Sequence, residues 1–474
     1  MCAITVAGGV LRFATLDSQS YWLDELVTVS LVHRDFGAML REIRATEATP
    51  YLYYVLAWPW SRAFGLGEIG LRSLSALVGT ATIPVAYGAG AALASRRAGL
   101  LAAALVAAHP LLTWYSQEAR SYALLVLLGA CSVLFLGRAL ARPSRRELLG
   151  WALVSSLALA THYFSVFLVA AEAMWLLARY RPRRDAVAAA IVPLLVLVAH
   201  LPLLLAQRGN GEAVAATSLA SRIGGGLKAI VVGYSFPVEV AGTLVAGALV
   251  AVGLVLAVTR ASERGKRAAL VAGSLAAAAI AVPVVLALVG TDYLSARNLV
   301  LAAVPGAVCL GVGYAASRVG LAAGGTLIAL LAAITLTVSL DDRYGRTDWR
   351  GAAEELGPSG VERAIVVTPY LSRSLWSPYL PGLEEPSGPI RVREISVVGL
   401  ATEGGLSGGA VEPPDVPPGA PPPGFALSSV VRTPTLVLVT YRAPAPTPVS
   451  ETALAALRLA DQQPGILLQP GARG

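Results

Sequence analysis

Long apolar runs recur between residues 70 and 340 of this chain, and they constrain its fold more than any other feature. A run of about 18 apolar residues with few charges is long enough to cross a membrane as a helix. Only 14% of the 474 residues are charged, against about 25% in a typical soluble domain. The apolar excess falls in blocks, so a single water-facing core does not account for it. The sequence therefore predicts an integral membrane protein.

Twelve segments, all rich in Ala, Leu, Val and Gly, have the composition of membrane helices. Because lipid offers no hydrogen-bond partners, isolated segments of this kind cross it as helices. We predict an all-α polytopic membrane protein with about 11 or 12 transmembrane helices. The segments are residues 1–16, 51–66, 70–93, 98–113, 121–141, 148–162, 163–180, 186–206, 239–259, 267–290, 297–316 and 320–340.

Basic residues cluster in alternate short loops, and this sets the expected orientation. The clusters are Arg96-Arg97, Arg142 with Arg145-Arg146, Arg179 to Arg184, Arg260 to Arg267, and Arg318. Such loops stay in the cytoplasm, so we expect a multi-pass protein of the plasma (inner) membrane. The loops that alternate with these basic loops then lie outside the cytoplasm. They include 17–50, 114–120 and 291–297, and everything after residue 341 lies on the same side. The formal charge of +8 reflects this orientation and does not indicate nucleic-acid binding.

One alternative in the topology stays open. If residues 1–16 run outward, two full spans at 51–66 and 70–93 would place Arg96-Arg97 outside. Either segment 51–66 does not cross fully, or residues 148–180 form one long helix and loops 94–97 and 114–120 exchange sides. We favour the incomplete crossing.

Three parts are predicted along the chain. Residues 1–340 form the transmembrane domain, whose first outer loop, 17–50, is long enough to be functional. Residues 341–445 form a small extracytoplasmic α+β region, and residues 446–474 are expected to be a disordered tail. The α+β region has a helix at 348–356, strands at 361–369, 392–400 and 435–442, and a Pro/Gly-rich insert at 405–425.

An acidic pair, Asp24-Glu25, follows Tyr21-Trp22-Leu23 in the first outer loop. A carboxylate at a membrane interface can accept a proton from an attacking hydroxyl. It can also hold a divalent cation. The alternative is a solvated acidic pair beside an aromatic interface belt.

Other polar side chains lie at the ends of apolar helices on the same predicted face. The densest group is Trp114 to Tyr122, with Arg120 in it, and arginine presents a planar fork that fits phosphate oxygens. Arg297 opens a helix, where a cation needs an anionic partner such as Asp292 or a phosphate. As alternatives, Arg120 can snorkel to lipid headgroups, Glu47 can serve a helix dipole, and His162 can be a packed residue.

The order of these stretches resembles the bacterial GT-C glycosyltransferases of the protein mannosyltransferase and aminoarabinose transferase kind. The resemblance covers about residues 1–355. The matching stretches are Tyr21-Trp22-Leu23-Asp24-Glu25, Thr49-Pro50-Tyr51-Leu52-Tyr53-Tyr54, Leu71 to Leu77, Trp114 to Tyr122, Thr161-His162-Tyr163-Phe164 and Asp348-Trp349-Arg350.

The resemblance implies a GT-C fold, a polyprenyl-phosphate-linked sugar as donor, and inverting transfer outside the cytoplasm. It implies that Asp24, with Glu25 beside it, occupies the family's catalytic acidic position and deprotonates the acceptor hydroxyl. Arg120 and Arg297 lie where the family has basic residues near the lipid phosphate. Substrate-binding candidates are Glu47, Tyr54, Tyr115, Gln117, Glu118, Tyr122 and His162. The sugar, the acceptor and any metal requirement stay unassigned, and membrane lipids are expected partners.

Two positions depart from the family pattern. The family often has Asp-x-His-Pro-Pro before its second helix, whereas this chain has Glu47 to Tyr51, with Thr49 in place of the histidine. The late Arg-Tyr pair is Arg297-Asn298 here. Both differences bear on substrate choice.

Two other functions stay open. A lipid transporter or flippase would have inverted repeats and ionisable residues at mid-membrane, whereas the polar clusters here lie at helix ends. A catalytically inactive relative that binds a partner is the other alternative, since the family histidine is missing. The sequence contains no Walker-type loop, dinucleotide fingerprint, HExxH or paired CxxC motif.

Overall fold

The computed structural model describes residues 1–207, 218–290, 292–368, 376–401, 413–414, 419–459 and 463–471. They form two compact units. The helical unit comprises Met1–Leu16 and Thr28–Thr337, and the C-terminal unit comprises Asp17–Val27 and the described residues from Val338 onward. Residues 17–20 hydrogen-bond to residues 346–350 and are grouped with the C-terminal unit, whereas the sequence-based division includes them in the transmembrane domain.

Helices make up nearly all of the chain up to residue 340. They are α1 Cys2–Phe13, α2 Leu23–His33, α3 Phe36–Thr46, α4 Leu52–Phe64, α5 Glu68–Leu93, α6 Arg96–Ala108, α7 Pro110–Ser116, α8 Tyr122–Ala141, α9 Arg145–Thr161, α10 Ser165–Arg179, α11 Arg183–Ala206, α12 Leu219–Val232, α13 Glu239–Thr259, α14 Glu263–Leu288, a 3-10 helix Ala296–Ala302, α15 Ala303–Ala315 and α16 Arg318–Leu340.

Small residues let these helices pack closely. A Cβ at Gly313 would overlap the carbonyl oxygen of Gly253, so α15 and α13 can touch only through glycine. A Cβ at Gly90 would lie 2.7 Å from the Cα of Gly99, where α5 meets α6. Close backbone approach of this kind is how helices associate in lipid, where burial of apolar surface drives little.

All twelve predicted segments contain helix, but fewer are long enough to span. Among the described residues, seven helices are long and apolar enough to cross a membrane, or eight if the bent pair α6–α7 is one span. Helices α1, α4, α9 and α10 have 12, 13, 17 and 15 residues and fall below that length. Helix α4 rises only about 20 Å against a hydrocarbon core of about 30 Å, which agrees with incomplete crossing by segment 51–66. The alternative of one helix over 148–180 is wrong, since α9 and α10 are separate.

A buried arginine supports the bend between α6 and α7. Pro110 has no N–H, so the carbonyl of Val106 loses its helical partner. Arg12, fully buried in α1, donates from Nη2 to Val106 O at 2.9 Å and from Nη1 to Ala107 O at 3.1 Å. Its Nε donates to the hydroxyl of Ser116 at 3.1 Å. Helix α1 therefore binds the last turn of α6 and the end of α7, and α7 is bent by 60° from α6.

The C-terminal unit contains a five-stranded mixed sheet. Its elements are α17 Trp349–Leu356, β1 Arg363–Thr368, β2 Ile390–Leu400, β3 Ala426–Arg432, β4 Leu436–Val449, α18 Glu451–Ala455 and β5 Gly465–Gln469. The strand order is β3-β4-β2-β1-β5, and β1–β2 is the parallel pair among antiparallel ones. Alternate residues of the central strands enter two cores, one on each face, as the two-residue period of a strand requires.

Four predicted elements of this region are confirmed as α17, β1, β2 and β4, with ends within a few residues except that β4 runs on to Val449. The predicted disordered tail is wrong, because β5 pairs with β1 and so covers an edge that would otherwise expose unpaired backbone groups. The Pro/Gly-rich insert 405–425 lies mostly outside the described residues.

Candidate active site

A buried ion pair between Glu47 and Arg120 forms the centre of the polar cluster in the helical unit. Arg120 Nη1 lies 2.8 Å from Glu47 Oε1, and Nη2 lies 3.1 Å from Oε2. Nη1 also donates to the Tyr54 hydroxyl at 2.8 Å. The two charged residues are only 3% and 7% exposed. A bidentate pair of this kind fixes the plane of the guanidinium as well as its position.

The local sequence explains how the pair is brought together. Glu47 ends α3, where its N–H donates to Ile43 O at 3.1 Å, and Pro50 prevents the helix from continuing. Tyr54 lies in the first turn of α4, and Arg120 lies in the turn between α7 and α8. Glu47 therefore lies at a helix C-terminus, where a negative charge is unfavourable. The alternative that Glu47 serves the dipole of the following helix, α4, is wrong, because the first turn of α4 contains no acidic residue and Glu47 is bound by Arg120.

Gln207, which the sequence did not suggest, holds the turn that carries Glu47. Its Nε2 donates to the carbonyls of Ile43 and Thr49 at 3.0 and 3.1 Å, and its Oε1 accepts from the Tyr163 hydroxyl at 2.8 Å. The hydroxyl of Thr49, at the family's histidine position, lies 3.5 Å from Glu47 Oε2. The one available signal was that Gln207 is the first polar residue after a long apolar run.

His162 is a buried histidine whose imidazole is affected by the charges of two arginines of the helical unit. Burial, and then the positive charges of Arg297 and Arg120, lower the pKa of its imidazole to about 3. Its Nδ1 accepts from the backbone N–H of Phe164 at 3.2 Å, and its ring lies 5.9 Å from that of Tyr122. His162 is therefore neutral at physiological pH. The imidazole can take part in hydrogen bonds while Arg120 and Arg297 supply the positive charge around it.

Aromatic rings extend the cluster. The hydroxyls of Tyr115 and Tyr234 are hydrogen-bonded, and the ring of Tyr115 lies 4.8 Å from that of Tyr122. Trp114 packs edge-on against Tyr234 at 5.4 Å. Tyr234 was not singled out from the sequence, because it lies 119 residues from its partner Tyr115. Tyr115 and Tyr122 are buried, whereas Trp114 and Tyr234 are partly exposed, and partly exposed rings beside polar groups are suited to hold a sugar or an amphipathic substrate.

Gln117 and Glu118 lie in the same turn as Arg120 but have different surroundings. The Gln117 amide donates to the carbonyls of Leu11 and Arg12 at 3.2 and 3.3 Å and to the Thr15 hydroxyl at 2.8 Å, so it binds the end of α1. Glu118 is fully buried. The contacts of Gln117 indicate a structural role for it.

Asp24 and Glu25 lie in the first turn of α2, where negative charges are stabilised by the helix dipole. Asp24 is partly exposed, whereas Glu25 is fully buried, with Oε2 accepting from the Trp22 N–H at 3.4 Å. Both belong to the C-terminal unit, whereas Arg120 and His162 belong to the helical unit.

The segment before Asp24 is tied to the Asp348-Trp349-Arg350 stretch. The Ser20 hydroxyl donates to Thr347 O and accepts from Trp349 N–H, both at 3.0 Å. The Tyr21 N–H donates to the Tyr379 hydroxyl at 2.7 Å. These bonds fix the backbone just before Asp24 within the C-terminal unit.

The predicted partner of Arg297, Asp292, is engaged by another arginine. Arg222 in α12 binds both oxygens of Asp292, at 2.6 Å for the Nη1–Oδ1 contact, and donates to Leu294 O at 3.3 Å. The hydrogen bonds from Arg222 hold the pKa of Asp292 below its usual range. Arg222 was missed from the sequence. Its contacts hold the loop that leads into the 3-10 helix carrying Arg297.

An apolar cavity of about 330 Å³ opens among α6 and α12–α16. Aliphatic side chains such as Leu105, Ile230 and Leu254 line it, together with Ala302 of the 3-10 helix that carries Arg297. His109 also lines it and has Nε2 2.9 Å from Ile230 O. Such a cavity can receive a hydrocarbon chain.

Among the described residues, no group of three or more His, Cys, Asp or Glu side chains could hold a metal ion.

The chain matches a family model described as dolichyl-phosphate-mannose-protein mannosyltransferase over residues 48–205. That range includes Tyr54, Arg120 and His162. No curated protein matches the sequence.

Two solved structures share the fold. ArnT from Cupriavidus metallidurans bound to undecaprenyl phosphate is 13% identical, with a TM-score of 0.54, over 93% of this chain and 97% of that one. The arabinofuranosyltransferase AftD from Mycobacteria is 14% identical, with a TM-score of 0.50, over 94% of this chain and 40% of that one. The chain therefore shares the GT-C fold of these two structures, and its residues 48–205 are similar to the mannosyltransferase family.

Proposed function

We propose that the protein transfers a sugar from a polyprenyl-phosphate donor to a hydroxyl acceptor on the extracytoplasmic face of the membrane. The proposal is carried by the buried cluster of Arg120, Glu47 and Tyr54, beside which the charges of Arg120 and Arg297 both act on the His162 imidazole. Two guanidinium groups that arise 177 residues apart (297 − 120) therefore act on one place in the helical unit. The phosphate of the donor is the natural anion for such a place.

The two arginines have different roles in this proposal. Glu47 balances the charge of Arg120 and fixes the orientation of its guanidinium. Arg120 therefore acts on the donor phosphate as an oriented ion pair and adds little net positive charge. Arg297 binds the phosphate directly and stabilises the charge that grows as the glycosidic bond breaks. The apolar cavity lined by Ala302 receives part of the prenyl chain, about 10 Å along the 3-10 helix from Arg297.

Asp24 is the proposed general base. Its carboxylate takes the proton of the acceptor hydroxyl, the hydroxyl oxygen attacks the anomeric carbon, and the bond from that carbon to the phosphate oxygen breaks. Polyprenyl phosphate leaves, and attack from the opposite face inverts the anomeric configuration. The partial exposure of Asp24 suits proton exchange with water.

The test measures release of polyprenyl phosphate, the product common to all such donors. Purified protein in nanodiscs is given polyprenyl-phosphate mannose, arabinose or aminoarabinose with a panel of hydroxyl acceptors. We expect one donor to be consumed, Asp24→Asn to abolish release, and Asp17→Asn, an exposed aspartate of the same loop, to have no effect. Arg297→Gln should lower kcat by about 10²-fold.

Three results would contradict parts of the proposal. Full activity of Asp24→Asn would remove its role as base. Unchanged kinetics of Arg297→Gln would remove the phosphate assignment. Movement of a labelled lipid-linked sugar across the vesicle membrane, with no donor consumed, would favour a flippase.

A further inference from the structure

A second cavity, of about 540 Å³, lies in the helical unit. It is at the C-terminal ends of α8 and α10, whereas Arg120 and His162 lie just before the N-terminal ends of these helices. The last turns of α5, α8 and α10 and the first turns of α14 form it. Four arginines line it: Arg142, Arg179, Arg264 and Arg267. All four belong to the loop clusters that the sequence predicts to be cytoplasmic. We call this the four-arginine cavity.

The charges of this cavity are not balanced by nearby acids. In the described parts of the chain, no carboxylate oxygen lies within 4.0 Å of any of the four guanidinium groups. Within the described residues, Arg264 donates only to backbone carbonyls, those of Ala92 and Leu93 at 3.1 and 3.5 Å. Glu263 feels the charge of Arg267 but is bound by Lys266 at 3.0 Å.

Neighbouring arginines at the same helix ends do find carboxylates. Arg145 and Arg184 both pair with Asp185, at 3.1 and 3.9 Å, and Arg138 lies 4.0 Å from Glu147. The general preference for basic residues at helix C-termini and in cytoplasmic loops explains single arginines. It does not explain why four like charges surround one open cavity while the available acids bind other arginines.

The remaining lining is apolar and includes one tryptophan side chain. Leu93, Leu140, Leu270 and Val271 form that part of the wall. Trp175 also lines the cavity, and its Nε1 donates to the Ser274 hydroxyl at 2.9 Å. Tryptophan of this kind is typical of the depth at which lipid headgroups meet hydrocarbon. A soluble anion would gain nothing from the apolar wall, whereas a phospholipid would use both parts.

We propose that the four-arginine cavity binds the phosphate headgroup of an anionic membrane lipid, with its glycerol and upper acyl chain against the apolar wall. Guanidinium groups bind phosphate oxygens through paired N–H donors, and basic pockets between membrane helices bind anionic headgroups. The inference does not depend on the proposed function, since the residues involved are not those of the candidate active site.

The test uses delipidated protein in neutral detergent and three probes: dioctanoyl phosphatidylglycerol, dioctanoyl phosphatidylcholine and inorganic phosphate. Binding is followed by the thermal shift and by native mass spectrometry. We expect phosphatidylglycerol to bind with a one-to-one stoichiometry and to raise Tm, and the other two probes to have little effect. Two paired variants, Arg142→Gln with Arg179→Gln and Arg264→Gln with Arg267→Gln, should each weaken binding about 30-fold.

The matched control replaces Arg97 with Gln and Arg260 with Gln, two exposed arginines of the predicted cytoplasmic loops that do not line the cavity. It removes the same charge and should leave binding unchanged. Equal loss in the control and the paired variants would mean general charge attraction and would overturn the site. Equal stabilisation by inorganic phosphate would show a free-anion site and overturn the lipid assignment. Unchanged binding in both paired variants would overturn the proposal outright.

Discussion

The guanidinium of Arg120 is bound by both carboxylate oxygens of Glu47, at 2.8 and 3.1 Å, inside the helical unit. Breaking a buried pair from one side leaves an uncompensated charge, which costs about 3–5 kcal/mol. We therefore expect Glu47→Ala to lower the free energy of unfolding by about that amount, measured by denaturation in detergent. Glu47→Gln should cost less, since its amide keeps one acceptor for Arg120.

The pair Arg34–Glu42 provides the matched control for this prediction. Its atoms lie 3.7 Å apart, and its side chains are 47% and 35% exposed. Glu42→Ala should therefore cost less than about 1 kcal/mol. If Glu47→Ala and Glu42→Ala lowered the free energy of unfolding equally, burial of the Arg120–Glu47 pair would not add to its effect on stability.

Ser20 should act as a positioning residue for Asp24. Ser20→Ala removes both the donor to Thr347 O and the acceptor for Trp349 N–H. If Asp24 is the base, we expect kcat to fall about tenfold with the KM for donor unchanged, because a small displacement of a catalytic group is costly. Hydrogen exchange at the Trp349 amide should become faster.

Ser359 is the control for Ser20. Its hydroxyl also bridges backbone groups of the C-terminal unit, donating to Val361 O at 2.7 Å and accepting from Val361 N–H at 3.3 Å. Ser359→Ala should leave kcat and Trp349 exchange unchanged. If Ser20→Ala keeps full kcat while Asp24→Asn is inactive, the positioning role is wrong and the catalytic assignment stands.

The bend between α6 and α7 predicts an energetic coupling between Arg12 and Pro110. Arg12→Leu leaves the Val106 and Ala107 carbonyls without its guanidinium, at a cost of about 1–3 kcal/mol for each buried group. Pro110→Ala restores an N–H that can bind Val106 O. The double variant should therefore be more stable than the sum of the two single changes, by about 1 kcal/mol.

Pro59, within α4, gives the control for that cycle. Pro59→Ala should show no coupling with Arg12→Leu, because the N–H that it restores would face the carbonyl of Val55, whereas Arg12 binds that of Val106. Strict additivity for Arg12 and Pro110 would mean that the arginine does not replace the missing hydrogen bond.

His162 predicts a pH dependence of stability. Its pKa is lowered to about 3 in the folded protein, against about 6.5 in an unfolded chain. The neutral imidazole therefore contributes its full stabilisation above about pH 6.5, and this is lost as the pH falls from 6.5 toward 3. At pH 5 the loss should be about 2 kcal/mol relative to pH 7.

His162→Asn should remove this component of the pH dependence, measured as unfolding free energy from pH 7 to pH 5. His33→Asn, at an exposed histidine, should retain it. An unchanged pH profile in His162→Asn would show that His162 does not enter the folded state as a neutral group.

Much of the architecture follows from the sequence, because a membrane helix is encoded locally. The lengths of the apolar runs predicted a helix in every one of the twelve segments, and residues 239–259 match α13 at both ends. The polar turn at Trp114 to Tyr122 and the acidic pair Asp24-Glu25 could be found for the same reason, since charged residues at the ends of apolar runs stand out. The basic loops identified the arginines of the second cavity, although not their arrangement.

The tertiary structure decided which of these residues meet. Glu47 and Arg120 are 73 residues apart, and Tyr115 and Tyr234 are 119 apart, so no periodicity connects them. Gln207, Arg222 and Tyr234 were missed because a single polar residue gains its role only from distant partners. Residues 17–27, the start of the first outer loop, belong with the C-terminal unit, and the hydrogen bonds of residues 17–20 to residues 346–350 involve backbone atoms, which carry no signature in the sequence. Helices form from neighbouring residues, whereas a site forms from side chains that only packing brings together.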